Sequence, residues 1–462
     1  MKSLSIQTLA EIINAQNRQN ITGLFNGVSI DSRTIQPGQC FFAVPGENFD
    51  GHNYIQTAFE KGAACAVVSA RNPDDFPGKA VLKVADTVKA LGLLAAEYRR
   101  QCAFKVVAIT GSAGKTTTRQ IAHHAISRHF RVTQSPKNFN NFIGLPLTLL
   151  AAQPDDQVVI AELGTNNPGE IAYLSSIAQP DIAIVINAYQ AHLQGLGTLE
   201  TVIKEKLSIY QGLSPDGVFI INADCPGLMQ ACEKLNRTFI TFGKTEPAQI
   251  KAKNIIHTGR QSSFTIDDTP ISLPLPGPGN LENALAAWAI CKNVGICIDD
   301  FAQATSSLTK INMRAEILEI GTLTVINDCY NANPASMENA LAILSSLNTD
   351  PSRRLVFICG DMAELGDMSQ QLHAELGNII AETGVNSLLT VGSFAAITAQ
   401  AARSADRDLL TNCFEDTNSL CNSLEKFIKN SDIILVKGSR VNKLEIAFEK
   451  IKQLFGKYLK DN

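Results

Sequence analysis

The chain has 462 residues, more than one ordinary hydrophobic core holds, so two or three domains of roughly 100–200 residues each are expected. With 45% hydrophobic and 18% charged residues it can bury sizeable cores, and a formal net charge of −4 leaves no polybasic footprint, which argues against nucleic acid or an anionic membrane surface as a general partner. The 11 cysteines are odd in number, scattered and without a CxxC pair, which speaks against a disulfide framework or a thiolate zinc site and for reduced thiols in a cytoplasmic protein.

The opening "MKSLSIQTLAEIINAQN" has helical spacing without a long apolar run or a small-residue cleavage site, so no secretory leader is expected. No window reaches the roughly 18 uninterrupted apolar residues of a membrane span, and no membrane insertion is expected. Residues 1–83 mix short strand-like runs with turns such as "QPGQC" and "VPGENFDGHNY", the pattern of a small mixed α/β domain. From residue 84 the runs "VVAIT", "QVVIAELG", "DIAIVIN" and "GVFIINAD" alternate with helix-like segments, which implies a parallel sheet covered on both faces. The stretch "DDTPISLPLPGPGN" interrupts this series with turn residues, and "LENALAAWAICKNVG" returns to helical spacing. A third series, "TLTVINDCY", "RLVFICGD", "SLLTVG" and "DIILVKGS", begins near residue 312. The expected architecture is α/β with three domains: 1–83, a central P-loop-type parallel-sheet domain over 84–311, and a Rossmann-like doubly wound domain over 312–462. Residues 310–313 are the candidate hinge between the last two.

The most specific motif lies in the central domain. "VVAIT" reads as a strand, "GSAGK" as a turn of small residues and "TTTRQIAHHAISRHF" as a helix, the order that a phosphate-binding loop requires. Gly111, Ser112, Ala113, Gly114, Lys115, Thr116 and Thr117 form this loop, with backbone amides facing an anion, Lys115 reaching the terminal phosphates of ATP and the Thr116 hydroxyl a ligand for Mg²⁺. It is a shortened loop, because Ile109 stands where GxxxxGK[ST] has its first glycine.

"TGSAGKTTT" resembles the ATP loop of the Mur ligase superfamily, enzymes that add amino acids to the UDP-muramoyl precursor of peptidoglycan. The resemblance extends in order through "DSRTIQPGQCFFAVPGENFDGHNYI", "NFNNFIGLPLTLL", "AELGTNNPGEI", "NAYQAHLQGLGT", "KEKLSIY", "NDCYNANPASMENAL", "GDMAELG" and "LVKGSR". "YNANPASM" together with "GDMAELG" is most similar to the superfamily members that join D-alanyl-D-alanine to UDP-N-acetylmuramoyl-tripeptide. Such a ligase first moves the γ-phosphoryl group of ATP onto a carboxylate, and the amine then attacks the acyl phosphate. Phosphoryl transfer between anions depends on positioning and charge neutralisation, so cations and Mg²⁺ should dominate the site. A kinase or nucleotide-driven switch built on the same loop would need neither Lys206 nor a separate amino-acid domain. Folylpolyglutamate synthase shares the ATP chemistry but would not explain "YNANPASM" or the N-terminal "DSR".

The resemblance assigns roles residue by residue. Glu162, which ends the strand "VVIAE", and His192, in "NAYQAHL", match metal-site positions; on its own Glu162 reads equally as a strand-end surface acid. Lys206, in "IKEKLSIY", reads on spacing alone as a solvated helix lysine, but it matches the lysine that superfamily members carry as a carbamate, with Lys204 the alternative one step away. Asn283 is the candidate for the adenine side, Arg314 for phosphate or ribose, and Asp328 for ribose hydroxyls. The chain departs from the family pattern in carrying Gly279 where a His is usual and Met313 where a glycine is usual. Ser32 and Arg33 match a uridine-diphosphate contact. Asn138, Asn140 and Asn141 are candidates for the muramoyl-peptide, and Tyr330, Asn331, Asn333 and Asp361, with Lys437 and Arg440, for the incoming dipeptide or the closing nucleotide. A monomer is expected.

Overall fold

Alternation of apolar strands with amphipathic helices produces three parallel-stranded sheets along the chain in a computed structural model that describes residues 1–17, 22–46, 49–235, 237–309 and 311–456. The first sheet is β1 (Val28–Ser29), β2 (Cys40–Phe42), β3 (Cys65–Val68) and β4 (Val81–Lys83), all parallel and in that spatial order. Helix α1 (Thr87–Gln101) follows, its N-terminus capped by the Asp86 carboxylate, which accepts from the amides of Val88 and Lys89.

The central sheet is built from β5 (Lys105–Thr110), β6 (Val132–Gln134), β7 (Val158–Glu162), β8 (Ile182–Val185), β9 (Val218–Asn222), β10 (Ile240–Gly243) and β11 (Ile250–Lys251). Its spatial order is β11-β10-β9-β8-β5-β7-β6 with every pair parallel. Strand β5 is central, and its carboxyl end feeds helix α2 (Lys115–Ile126). Ile121, Ala122 and Ala125 on one face of α2 are buried against Leu281, Ala284 and Leu285 of helix α3 (Pro278–Val294). Small residues along α3 allow this close approach, so its first turns sit beside the phosphate loop.

One part of the sequence reading is corrected here. The stretch around "DDTPISLPL" is not a turn-rich interruption but belongs to a three-stranded antiparallel sheet of Lys253–His257, Ser262–Ile266 and Thr269–Leu273. Asp267 and Asp268 form its hairpin loop, both at positive φ (47° and 64°), and Phe264, Ile266, Ile271 and Leu273 turn alternately into the core.

The third sheet comprises β12 (Glu316–Ile320), β13 (Leu323–Asn327), β14 (Leu355–Gly360), β15 (Ser387–Val391), β16 (Leu410–Phe414) and β17 (Ile433–Lys437), in the order β12-β13-β17-β14-β15-β16. Only the β12–β13 edge pair is antiparallel. Helix α4 (Pro334–Leu347) leaves β13 towards the central domain. Lys310 of the candidate hinge lies outside the described residues. All 11 cysteines are unpaired. Among the described residues no helix is long and apolar enough to cross a membrane.

Candidate active site

The turn after β5 is shaped by what packs on it. Gly114 has φ 82°, and a Cβ at this position would collide with Asn283 Oδ1, so the loop needs glycine both for its backbone conformation and for the close approach of α3. Asn283 is therefore placed against the phosphate loop, its side chain also within hydrogen-bonding distance of Thr118 Oγ1 (3.4 Å). Helix α2 starts at Lys115, so its unpaired first-turn amides and positive dipole end face the loop. The Lys115 ammonium donates to the Gly111 carbonyl (2.7 Å). Burial lowers its pKa, the nearby Glu162 charge raises it and Arg314 lowers it again, the balance of a desolvated cation that gains from an anionic partner.

Glu162 is not a surface acid, being 2% exposed. Its Oε1 accepts from Arg119 Nε (2.6 Å) and its Oε2 from Thr116 Oγ1 (3.2 Å). Arg119, which the sequence reading did not single out, lies four residues beyond Lys115, one helical turn along α2, and is itself buried. The two lysines differ in burial: Lys204 is exposed, whereas Lys206 is 1% exposed. Desolvation, followed by the Lys115 charge, pushes the Lys206 pKa well below its ordinary value, favouring the neutral amine. The solvated-lysine reading of Lys206 is thereby overturned. Among the described residues no three His, Cys, Asp or Glu side chains converge as a metal-binding group, so Glu162 and His192 do not form a ready-made cluster of that kind.

The third domain closes one wall. Arg314 stacks on Tyr330, 4.1 Å from the ring centroid, and stands near enough to Lys115 to affect its titration. Met313 and Ala315 on either side are at φ 57° and 50°, left-handed positions at which glycine is unstrained and other residues cost about 1 kcal/mol. This accounts for a glycine being usual at Met313. Asp328 faces the cleft, but its oxygens accept from Lys437 Nζ (2.7 Å) and the Ala315 amide (3.1 Å), so it also fixes the Arg314 segment. Asn333 caps α4 and donates through Nδ2 to the Ser112 carbonyl (3.2 Å), touching the phosphate loop from the third domain. Asn339 Oδ1 accepts from the Gly279 amide (2.8 Å) and occupies the space where a side chain at Gly279 would begin. His192, at φ 55°, has Nδ1 2.5 Å from Glu364 Oε2, a further link between the two domains.

A cleft of about 930 Å³ gathers these groups. Ser112 to Thr117, Asn138, Asn140, Asn141, Glu162, His192, Asn283, Arg314, Asp328, Tyr330, Asn331 and Asn333 all line it. Lys206 and Gly111 are not on its wall. Ser32 is buried and Arg33 exposed on the N-terminal domain away from this cleft, where Arg33 pairs with Asp31 (2.8 Å). Asp361 does not line the cleft; its carboxylate accepts from the Ser393 (2.7 Å) and Phe394 (3.1 Å) amides, just before the helix Ala395–Ala405. Glu282, Glu364 and Asn339 are cleft residues that pattern reading missed, since each is a single polar residue within a helical or loop run.

A glycine-bearing phosphate loop facing a second doubly wound domain across one cleft defines a nucleotide-dependent enzyme built from three modules. The sequence matches the Mur ligase middle domain over residues 109–291, the "Mur ligase, glutamate ligase domain" over 313–440 and the "Mur ligase family, catalytic domain" over 24–99; the chain belongs to the Mur ligase family. It is 34% identical over 447 residues to the UDP-N-acetylmuramoyl-tripeptide–D-alanyl-D-alanine ligase of Bacillus subtilis, covering 96% of each chain. Among solved structures, MurF from Acinetobacter baumannii superimposes with a TM-score of 0.88 at 29% identity, covering 98% of this chain and 99% of that one. MurF from Thermotoga maritima in complex with ADP gives 0.79 at 25% identity, over 94% and 98%.

Proposed function

We propose that this protein joins D-alanyl-D-alanine to UDP-N-acetylmuramoyl-tripeptide with ATP, through an acyl phosphate, in cytoplasmic peptidoglycan precursor synthesis. The observation that carries the reading is the shared cleft, in which the phosphate loop of one domain meets Arg314, Tyr330, Asn331 and Asn333 of the next. Whole-length similarity to ligases of that name supports the substrate pair.

In this reading the loop amides and Lys115 hold the ATP phosphates, and Arg314 adds a second cation from the opposite wall. Both act where charge accumulates during transfer of the γ-phosphoryl group to the tripeptide carboxylate, which is how positioned cations lower such barriers. The bond between β-γ bridging oxygen and phosphorus breaks as the carboxylate oxygen bonds to phosphorus. The dipeptide amine then attacks the acyl carbon and phosphate leaves. In the same reading Asn138, Asn140 and Asn141, which line the cleft, hold the muramoyl-peptide near the loop, and Ser32 and Arg33 hold its uridine diphosphate.

Thr116 Oγ1 and Glu162 Oε2, 3.2 Å apart, are hard oxygens of the kind Mg²⁺ prefers, and its remaining ligands would be phosphate and water oxygens. When bound, the ion neutralises phosphate charge. His192 lines the same cleft, with Nδ1 2.5 Å from Glu364 Oε2. A carbamate on Lys206 belongs to the same proposal, supported by the burial that favours its neutral amine. The test is release of ADP and inorganic phosphate with UDP-N-acetylmuramoyl-tripeptide, with and without D-alanyl-D-alanine. Sustained release that requires both co-substrates is expected. Release independent of the dipeptide, or none with both present, would overturn the reading.

A further inference from the structure

Glu282 lies on the cleft in the second turn of α3, yet no step above uses it. Its carboxylate accepts from Asn187 Nδ2 (2.5 Å) and from the Tyr189 hydroxyl (3.1 Å). Asn187 and Tyr189 come from the segment that follows β8, and both reach the phosphate loop. Asn187 Oδ1 accepts from the Ala113 amide (3.0 Å), and its carbonyl accepts from the Ser112 amide (3.2 Å). The Tyr189 amide donates to Ser112 Oγ (2.9 Å). A side-chain amide has one acceptor end and one donor end, so the group that takes the donor end decides which end faces the loop. With Glu282 accepting from Nδ2, Oδ1 must face Ala113. If the amide turned over, two donors would meet at Ala113 and a buried N–H would lose its partner.

We infer that Glu282 is a positioning residue for nucleotide binding: by fixing the Asn187 amide and the Tyr189 ring it holds Ser112 and Ala113 in the conformation that receives phosphates. Its role is that of a hydrogen-bond acceptor rather than of a charge. The inference rests on the nucleotide reading of the loop.

The test measures ADP and adenosine affinity by calorimetry or competition for wild type, Glu282→Met, Glu282→Gln and Tyr189→Phe. Methionine keeps the unbranched bulk without an acceptor, and ADP affinity should fall about tenfold, the loss of roughly one hydrogen bond to a charged group. Adenosine, which has no phosphates, should bind all four proteins alike. Glutamine can accept from Asn187 Nδ2 through Oε1 and donate to the Tyr189 oxygen, so Glu282→Gln should stay within about twofold of wild type. Tyr189→Phe removes one of the two links and should fall between. Wild-type ADP affinity in Glu282→Met would overturn the inference, as would equal losses for ADP and adenosine, or a Glu282→Gln protein as weak as Glu282→Met. A wild-type protein that does not bind ADP would instead overturn the nucleotide reading itself.

Discussion

Replacing Lys206 by methionine separates a reactive amine from an inert one. The side chain is 1% exposed. Burial lowers its pKa most, the Lys115 charge lowers it further and the Glu205 charge raises it. Desolvating an amine costs on the order of 1–3 kcal/mol where partners do not fully compensate it, so a methionine of similar length should leave stability unchanged or raise it by up to about that amount. If the amine had no function, turnover would be untouched as well. If it carries a carbamate that supports the phosphate end of the cleft, turnover should fall by about 10²–10⁴, the usual loss for one preorganised electrostatic group. Steady-state turnover and thermal unfolding of Lys206→Met, with wild type assayed in carbon-dioxide-depleted and bicarbonate-supplemented buffer, supply the readouts. The expected result is a folded, inactive variant and a wild type that loses activity on depletion and regains it with bicarbonate. A stable Lys206→Met protein with full turnover would refute the carbamate and leave Lys206 as a buried structural lysine.

Lys115→Ala should lower kcat by about 10²–10⁴ without unfolding the chain, and near-normal turnover in a folded variant would remove it from phosphoryl transfer. Asp361→Ala should cost about 1–3 kcal/mol, because the Ser393 and Phe394 amides lose their acceptor, while leaving KM for D-alanyl-D-alanine unchanged; a selective rise in that KM would place Asp361 at the substrate site. His373 is buried, with Nε2 accepting from the Met362 amide (3.0 Å), and burial lowers its pKa below 6.5. The unfolded chain therefore takes up the proton first, so the His373 contribution is complete above about pH 6.5 and is lost as pH falls from there towards the folded-state pKa. Melting temperature should drop between pH 7.5 and 5.5, and His373→Gln should flatten that drop; an equal drop in the variant would place the acid sensitivity elsewhere.

How far the fold could be read from the sequence depended on how long each pattern runs. Strands β5, β7, β8 and β9 are near-continuous apolar runs because helices cover both faces of the sheet, and that pattern stands out against any background. The small antiparallel sheet was hidden because its strands are five residues long and one carries Pro270, so Asp267, Asp268 and Pro270 together look like an extended turn. The hairpin makes sense only when the alternate burial of Phe264, Ile266, Ile271 and Leu273 against α3 is known. That is a tertiary fact, absent from local composition.

The site divides along a similar line. Gly111 to Thr117 were legible because a loop that presents backbone amides to an anion must be contiguous, and contiguous chemistry leaves a motif. Burial and pairing leave none. Lys204 and Lys206 are chemically identical in the sequence, and only the packing of their helix makes one a solvated cation and the other a desolvated amine. Asp328 and Asp361 are both acids that follow strands, yet one meets a lysine at the cleft and the other takes two backbone amides off it, because their partners Lys437, Ser393 and Phe394 lie 109, 32 and 33 residues away. Met313 shows the converse. Its left-handed backbone is conformationally costly and is retained where the turn must aim Arg314 across Tyr330 towards Lys115, so a residue that looked like a departure from pattern marks where the third domain delivers its cation.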